Sequence, residues 1–308
     1  MNSRIKTYFA ILFSMIFWAF SFVWFKEANR HLYPLTIVFL RLVMAVILLT
    51  VFLFFTKRFR KIQKKDRKFF LMLAFFEPFL YFIGESFGLT FVSATVGSVI
   101  ISTIPVFATI GAWIIFRERL KPVNYAGIIL SFIGVIIFIS NSDGTISFNV
   151  KGLMLLSLAV FSAVGYNLTL SRLVGSYSSF FIVMVQNLIG SVLFLPLFLI
   201  SDYTHFINQD LTFAMFLPVI ELSVFASCGA FILFAYSVGK MGITKANVFT
   251  NTIPVFTALF AFLILDEKLS LRNIAGMMVV IAGIIMSQIN GKQKKPTDEA
   301  LVLTGKTA

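Results

Sequence analysis

The sequence predicts an all-α integral membrane protein, with ten transmembrane helices arranged as two inverted five-helix repeats around a central cavity. Three observations predict this fold class: an apolar composition, ten apolar segments of helical length and an internal repeat. Of the 308 residues, 59% are hydrophobic and only 13% are charged, whereas soluble domains carry about 25% charged residues. Because a soluble core of this size cannot bury so much apolar surface, lipid must cover it.

The apolar segments have the length that a bilayer requires, since a helix needs about 20 apolar residues to cross the hydrocarbon core. The predicted spans cover 8–28, 34–56, 69–92, 95–116, 122–140, 151–171, 178–201, 213–239, 244–265 and 271–289. Short connections make neighbouring spans antiparallel. Residues 290–308 are polar, and we expect them to form a disordered cytoplasmic tail.

The internal repeat is seen in Thr-Ile-Pro-Val-Phe, which occurs at 103–107 and again at 252–256. At this shift of 149 positions, residues 102–140 and 251–289 are identical at 14 of 39 positions. Shared Pro, Glu, Asn and Gly at fixed spacing indicate duplication, with repeats at 1–140 and 141–289. Because five spans are an odd number, the second repeat must insert upside down, as in many secondary transporters.

The basic residues predict the orientation of the chain. The net charge of +13 would suggest a nucleic-acid partner in a soluble protein. With a cytoplasmic N-terminus, however, the inner segments hold 20 Lys and Arg residues and the outer segments hold 5, as the positive-inside rule requires. We therefore expect a multi-pass protein of the bacterial inner membrane, facing anionic lipid, with both termini cytoplasmic and no nucleic-acid partner.

Several motifs of this sequence resemble those of EamA-type permeases in the drug/metabolite transporter superfamily. The resembling residues are Phe17-Trp18-Ala19-Phe20-Ser21-Phe22 with Lys26, Arg41-Leu42-Val43-Met44-Ala45, Ser102-Thr103-Ile104-Pro105-Val106-Phe107, Arg117-Glu118-Arg119-Leu120, and Asp266-Glu267-Lys268-Leu269. The ordered set spans nearly the whole chain. The sequence departs from the family pattern at 162–165, where the sixth helix often carries Trp, and at Asn187, which stands where the first half has Arg41. The resemblance implies a transporter, and its relatives are largely exporters.

Four charged residues lie well inside predicted spans: Arg41, Glu77, Glu85 and Glu221. Each costs several kcal/mol at that depth, so each should face the bundle interior. Arg41 and Glu85 fall at similar depth, about 10 Å below the outer surface at 1.5 Å per residue, which predicts an ion pair. The pair would either only neutralise two buried charges or also line the cavity and meet a polar or zwitterionic substrate.

The remaining candidates for the cavity wall extend this polar set. Glu77, Tyr81 and Glu85 share one face of the third span. The full predicted substrate-binding set is Trp18, Ser21, Arg41, Glu77, Tyr81, Glu85, Tyr166, Asn187, Asn247 and Asn251, and Asn167, Gln186 and Thr250 are further neutral candidates. For the neutral groups, hydrogen bonding between helices is the alternative role. Glu77, Glu85 and Glu221 are candidate proton carriers, because a carboxyl group removed from water binds a proton more readily.

The duplicated residues predict structural roles. Pro105 and Pro254 should kink the fourth and ninth helices, either as static bends or as paired hinges. Glycines at 127, 134, 276 and 283 should allow close helix packing. Glu118 and Glu267 should cap or pair locally at the membrane interface, with a gating salt bridge as the alternative.

The sequence as a whole predicts an alternating-access transporter for a small amphipathic metabolite, such as an amino acid, with protons as a candidate coupling ion. The chain contains no phosphate-binding G-x-x-x-x-G-K motif, and its only cysteine, Cys228, excludes a Cys-based metal cluster. We therefore expect no cofactor, no catalytic residues and a monomer. A non-transporting structural or sensory membrane protein and an intramembrane enzyme are the alternatives.

Overall fold

The computed structural model describes residues 3–108, 110, 121–139 and 149–287, and this part of the chain is helical with no β-strand. The helices are α1 Ser3–Ala28, α2 Pro34–Phe55, α3 Arg67–Ala74, α4 Tyr81–Phe91, α5 Ala94–Ala108, α6 Pro122–Ile139, α7 Val150–Leu173, α8 Ser179–Ser201, α9 Tyr203–Ile207, α10 Phe213–Glu221, α11 Phe231–Met241, α12 Ile243–Val248, α13 Ile253–Ile264 and α14 Leu271–Ser287. The predicted tail and Glu118 lie outside the described residues.

The helices fall on the apolar segments predicted to span the membrane. Within the described residues, seven stretches are long and apolar enough to cross a bilayer: Arg4–Ala28, Pro34–Phe55, Lys64–Phe91, Val150–Leu173, Ser179–Ser201, Phe213–Met241 and Lys245–Ile264. Shorter apolar helices are Ala94–Ala108, Pro122–Phe138 and Leu271–Ser287. Large apolar side chains such as Ile200 (84% exposed) and Phe55 (79%) lie on the outside, as lipid contact requires. The chain is therefore an all-helical multi-pass membrane protein, while the count of ten spans remains a prediction.

Helices α6 and α14 pack closely along their length, and the duplicated glycines lie at their contact. A side-chain carbon at Gly127 would meet the backbone of Gly283 and Ser287, and one at Gly276 would meet the backbone of Phe138. These backbones can approach only because glycine carries no Cβ. The packing role predicted for the glycines is confirmed.

The same two helices are joined by duplicated asparagines. The amide of Asn124, at the start of α6, donates to the Ser287 carbonyl at the end of α14 over 3.0 Å, and the amide of Asn273, at the start of α14, donates to the Phe138 carbonyl over 2.6 Å. Each side-chain oxygen also accepts a backbone N–H at its own helix start, from Lys121 or Ser270. Because each asparagine at the start of one helix bonds to the end of the other helix, α6 and α14 are antiparallel. The two asparagines are 149 positions apart, and so are the two residues whose carbonyls accept, so the two bonds are equivalent.

Contacts between the two halves recur with the halves exchanged. Helix α1 packs against α11 as α7 packs against α4, and α1 packs against α13 as α7 packs against α5. Helices α2 and α8 pack against each other. This exchange of partners is the pattern expected for two inverted repeats.

The helical distortions also recur at equivalent positions. π-helical segments at Phe75–Leu80 and Leu222–Ala230 join α3 to α4 and α10 to α11. The first segment, moved by 149 positions, falls inside the second. Helix α8 packs against the first segment and α2 against the second. Distortions of this kind free backbone groups and are frequent at functional sites, so the two segments mark the region where a site should be sought.

Candidate functional site

One cavity lies between the two halves, where α1, α2, α4, α5, α7, α11, α12 and α13 converge. Its wall is formed by Trp18, Ser21, Phe22, Arg41, Glu77, Tyr81, Phe82, Glu85, Ile101, Ile104, Ala163, Tyr166, Asn167, Phe231, Phe234, Asn247, Thr250 and Ile253. The wall includes eight of the ten residues of the predicted substrate-binding set. The space open to the centre of a water-sized sphere is about 50 Å³. A single water needs about 10–15 Å³ on this measure, so the cavity in this conformation holds a few waters.

The cavity wall follows the internal repeat. Phe82 and Phe231 are 149 positions apart, and so are Ile104 and Ile253; all four line the cavity. The two halves therefore contribute equivalent apolar surfaces from opposite sides. Predicting the wall from the sequence missed these apolar residues, although the repeat register would have found them in pairs.

The charged residues of the wall come from the first half alone. Arg41 is 2% exposed, and Glu77 and Glu85 are each 6% exposed. The Nε of Arg41 donates to the Ser227 hydroxyl over 2.9 Å, and the guanidinium carbon lies 4.4 Å from the centre of the Phe82 ring. The cation is therefore held by a hydroxyl on one side and by an aromatic face on the other.

The predicted ion pair between Arg41 and Glu85 is wrong in its direct form. Both side chains line the cavity and interact electrostatically, but within the described part of the chain no salt bridge joins them. The Glu85 carboxylate instead accepts a hydrogen bond of 3.0 Å from the Tyr81 hydroxyl. Tyr81 stands one turn earlier on α4, so its ring reaches the carboxylate without crossing the cavity.

Glu77 lies at the point where the third span is broken. Its backbone is extended (φ −147°, ψ 116°) inside the π-helical segment, directly before Pro78. Proline removes a backbone donor and obstructs the preceding turn, and broken backbone is tolerated at membrane depth where it lines a cavity. Among the described residues, the Glu77 carboxyl makes no hydrogen bond, so its charge faces the cavity without a direct protein partner.

The neutral groups complete the wall. The Trp18 ring contacts the rings of Phe231 and Phe234, with centroids 5.3 and 5.0 Å apart. Asn167 donates to Asn247 over 3.4 Å, a long hydrogen bond that joins α7 to α12. The Tyr166 hydroxyl is buried beside the Gln186 side chain, but within the described part of the chain it makes no hydrogen bond of normal geometry. Amide and phenol groups with spare bonding capacity are available to water or to a ligand.

Four predicted residues do not lie in the cavity wall: Gln186, Asn187, Glu221 and Asn251. Gln186 is 1% exposed on α8. Asn187 donates to the carbonyls of Val183 and Ser227, over 2.8 and 3.2 Å, and so joins α8 to the second π-helical segment. Asn251 lies in the 3₁₀ segment Phe249–Thr252 and is 4% exposed, with neither amide atom hydrogen-bonded among the described residues. Glu221, a candidate proton carrier, is half-buried at the end of α10 and also lies away from the wall.

The duplicated prolines follow equivalent breaks. A turn at residues 102–103 precedes Pro105 within α5, and the 3₁₀ segment precedes Pro254 at the start of α13. The predicted kinks are therefore present as interruptions of both helices. The residue directly before each proline, Ile104 or Ile253, lines the cavity. A change of angle at either break would alter the shape of the cavity.

Glu267 joins the two halves at one end of the bundle. Its carboxylate accepts hydrogen bonds from the backbone N–H of Ala94 (2.8 Å) and of Thr95 (3.3 Å) and from the Thr95 hydroxyl (2.6 Å). The residue thus caps α5, which lies in the other half of the chain. Nearby, the Lys26 ammonium at the end of α1 donates to the Leu89 carbonyl over 2.5 Å. The expectation of a cap is confirmed, but the cap is long-range where a local one was predicted.

Comparisons with known proteins agree with this architecture. The sequence profile described as the EamA-like transporter family matches residues 5–140 and 150–288. An uncharacterized transporter of Archaeoglobus fulgidus is 28% identical over 279 residues, which cover 91% of this chain and 97% of that relative. The uncharacterized transporter YcxC of Bacillus subtilis is 27% identical over 293 residues, which cover 92% of this chain and 93% of that relative.

A solved structure supports the fold independently. One protein crystal structure superposes with a TM-score of 0.69 at 12% identity, and the match covers 92% of this chain and 98% of that one. At this identity the likeness concerns the fold alone. Because the family profile covers both halves of the chain, this protein belongs to the EamA-like transporter family.

Proposed function

We propose that this protein moves a small amphipathic metabolite, an amino acid or a related compound, across the bacterial inner membrane by alternating access, and that it does so as a monomer in the direction of export. The observation that carries the proposal is the buried cavity between the two halves, with Arg41, Glu77 and Glu85 in its wall. Charged groups at membrane depth are costly and mark substrate or ion pathways.

The cavity has the composition of a small-molecule site. Apolar and aromatic side chains form most of its wall, and a few polar groups converge on it, as in typical ligand pockets. Pockets that bind drug-sized ligands measure about 300–1,000 Å³, so the cavity must widen to admit a substrate. The interruptions before Pro105 and Pro254 lie where such widening can occur.

The proposed mechanism rests on two inverted repeats that rock against one another around the cavity. The exchanged helix contacts and the equivalent asparagine bonds of α6 and α14 support this arrangement. The proposed orientation, with both termini cytoplasmic, rests on the distribution of Lys and Arg. Protons remain a candidate coupling ion.

The experiment that tests the proposal is a flux assay with purified protein in liposomes. A panel of radiolabelled amino acids, amines and related metabolites is offered under an imposed pH gradient, and empty liposomes serve as the control. We expect uptake of at least one solute above the control. Absence of flux for every solute, with the protein shown to be folded by circular dichroism, would refute the proposal.

A further inference from the structure

The charged groups of the cavity do not balance, and this imbalance bears on what the cavity binds. Arg41, Glu77 and Glu85 line the wall, and with all three ionised the cavity carries one negative charge in excess. Arg41 interacts electrostatically with Glu85. The Glu77 carboxyl is 6% exposed, and no hydrogen bond within the described residues satisfies it. An uncompensated buried charge is strongly unfavourable, so the occupied cavity requires one positive charge.

We propose that the cavity binds amphipathic organic monocations, whose ammonium group neutralises Glu77 while their apolar part packs against the aromatic wall. This inference rests on the proposed transport function and narrows its substrate class from amino acids and related compounds to amines and other organic monocations. A cation and a proton are the two species that can neutralise a single carboxylate. Binding of the cation to the protonated site therefore releases one proton, and transport exchanges one cation for one proton.

The aromatic wall favours a cation over a neutral compound of the same shape. Six aromatic rings line the cavity besides that of Tyr166: Trp18, Phe22, Tyr81, Phe82, Phe231 and Phe234. Trp18 stands against two of the others, 5.3 and 5.0 Å away between centroids. Aromatic faces attract ammonium groups, and the attraction is stronger where water is excluded.

Part of the bonding capacity of Arg41 is already taken up by the protein. Its Nε is occupied by the Ser227 hydroxyl, and Phe82 covers one face of its guanidinium. Its charge is opposed more strongly by Glu85 than by Glu77. A zwitterion would also leave the cavity with the same negative excess, whereas a monocation removes it. Charge and geometry therefore point to the same class of ligand.

The titratable groups that face Glu77 leave it as the residue that responds to the cation. Glu85 and Tyr81, on the same span, are joined to each other by a hydrogen bond. Arg41 approaches from α2 and Tyr166 from α7. Helices α3 and α8 also pack against the π-helical segment of Glu77. Helix α3 carries the exposed Arg67 and Lys68 in its first turn, and α8 contains no Asp, Glu, His, Lys, Arg, Cys or Tyr.

The binding test uses three probes that share a phenylalkyl body and differ in charge: 2-phenylethylamine, phenylalanine and 3-phenylpropionate. Affinities are measured by titration calorimetry on the purified full chain between pH 5 and pH 8. We expect the amine to bind at least about tenfold more tightly than the other two, since a charge-assisted contact contributes about 1.5–3 kcal/mol. Its affinity should fall as the pH falls, because the protonated carboxyl cannot bind a cation.

Variants assign this behaviour to one residue. Glu77→Gln should lower amine affinity at least about tenfold and abolish the pH dependence, while Glu77→Asp, which keeps the charge, should retain the pH dependence. Glu27→Gln is the matched control: Glu27 lies near the end of α1, outside the cavity wall, and the change should leave the affinity unaltered. Should Glu77→Gln fail to fold, the probe series and pH profile of the unmodified protein decide the question.

The outcomes separate the inference from the proposed function. Tighter binding of phenylalanine than of the amine, or equal amine affinity in the unmodified protein and a folded Glu77→Gln variant, would overturn the cation site and leave the transporter proposal intact. For flux, benzyltrimethylammonium is used, because its permanent charge prevents leakage as a free base. Pronounced binding without flux of any solute would instead overturn transport and leave the cation site standing.

Discussion

The cap on α5 by Glu267 can be tested by removing its carboxylate. The first turn of a helix leaves backbone N–H groups without intrahelical partners. In α5, the Ser93 hydroxyl accepts from Val96 N–H, while Glu267 accepts from the N–H groups of Ala94 and Thr95. Both of these donors belong to residues that are at most 1% exposed, so water cannot easily replace the carboxylate.

The magnitude follows from the bonds lost. Loss of a capping side chain costs about 0.5–2 kcal/mol, the negative charge at a helix start contributes about 0.3–1 kcal/mol, and the Thr95 hydroxyl donates a further hydrogen bond of 2.6 Å. Because Glu267 itself is half-buried, we take the lower part of these ranges and expect Glu267→Ala to lower the free energy of unfolding by about 2–3 kcal/mol. Glu267→Gln keeps one acceptor oxygen and should cost about 1 kcal/mol.

The assay is equilibrium unfolding in detergent, followed by circular dichroism. Asp266→Asn is the matched control, because Asp266 is exposed and its left-handed backbone (φ 55°) is one that Asn accepts; its effect should stay within about 0.5 kcal/mol. A double-mutant cycle with Thr95→Val should show a coupling of about 1 kcal/mol. If Glu267→Ala costs no more than Asp266→Asn, the cap does not stabilise the protein and the reasoning is refuted.

Other features lead to further predictions, each measured as the free energy of unfolding in detergent. Gly127→Ala places a methyl group against the backbone of α14 and should cost about 1–3 kcal/mol, whereas Gly175→Ala, which meets nothing within 4 Å, should be neutral; equal effects would contradict the close packing. Asn124→Ala and Asn273→Ala should each cost about 1–2 kcal/mol and add in the double variant, because their bonds lie at opposite ends of the helix pair; a strongly non-additive result would contradict independent bonds. Tyr81→Phe should cost about 1–2 kcal/mol through loss of its bond to a carboxylate, and an unchanged value would show that water replaces the hydroxyl.

The sequence predicts how deep in the membrane a residue lies better than it predicts the direction in which its side chain points. Arg41 and Glu85 were expected to pair because they lie at equal depth, and both do line the cavity. Depth says nothing about rotation around each helix axis, however, so the nearer partner, Tyr81, could not be ranked above Arg41. Asn187 shows the same limit: it is predicted to line the cavity or to join helices, and in the structure its amide donates to the carbonyls of Val183 and Ser227 while the residue lies outside the wall.

The sequence also could not predict which residues far apart along the chain bond to each other. A carboxylate following an apolar helix predicts a cap or an interfacial pair, and Glu267 does cap a helix. The helix it caps begins 173 positions earlier in the chain, and no local pattern connects the two. The apolar residues of the cavity wall could have been predicted from the repeat, since Phe231 lies 149 positions after Phe82 and is its equivalent in the second half.

The structure separates a symmetric scaffold from an asymmetric site. At the scaffold level, duplicated residues make equivalent bonds, as Asn124 and Asn273 do. In the cavity, the same register sets Glu85 against Phe234, both in the wall, so the charged groups stay with one half. The proposed alternating access requires that two inverted halves exchange conformations at little cost in free energy, and equivalent contacts in the two halves would favour this exchange. Substitutions in the scaffold pairs should therefore shift the balance between conformations, whereas substitutions in the charged set should change ligand affinity in both.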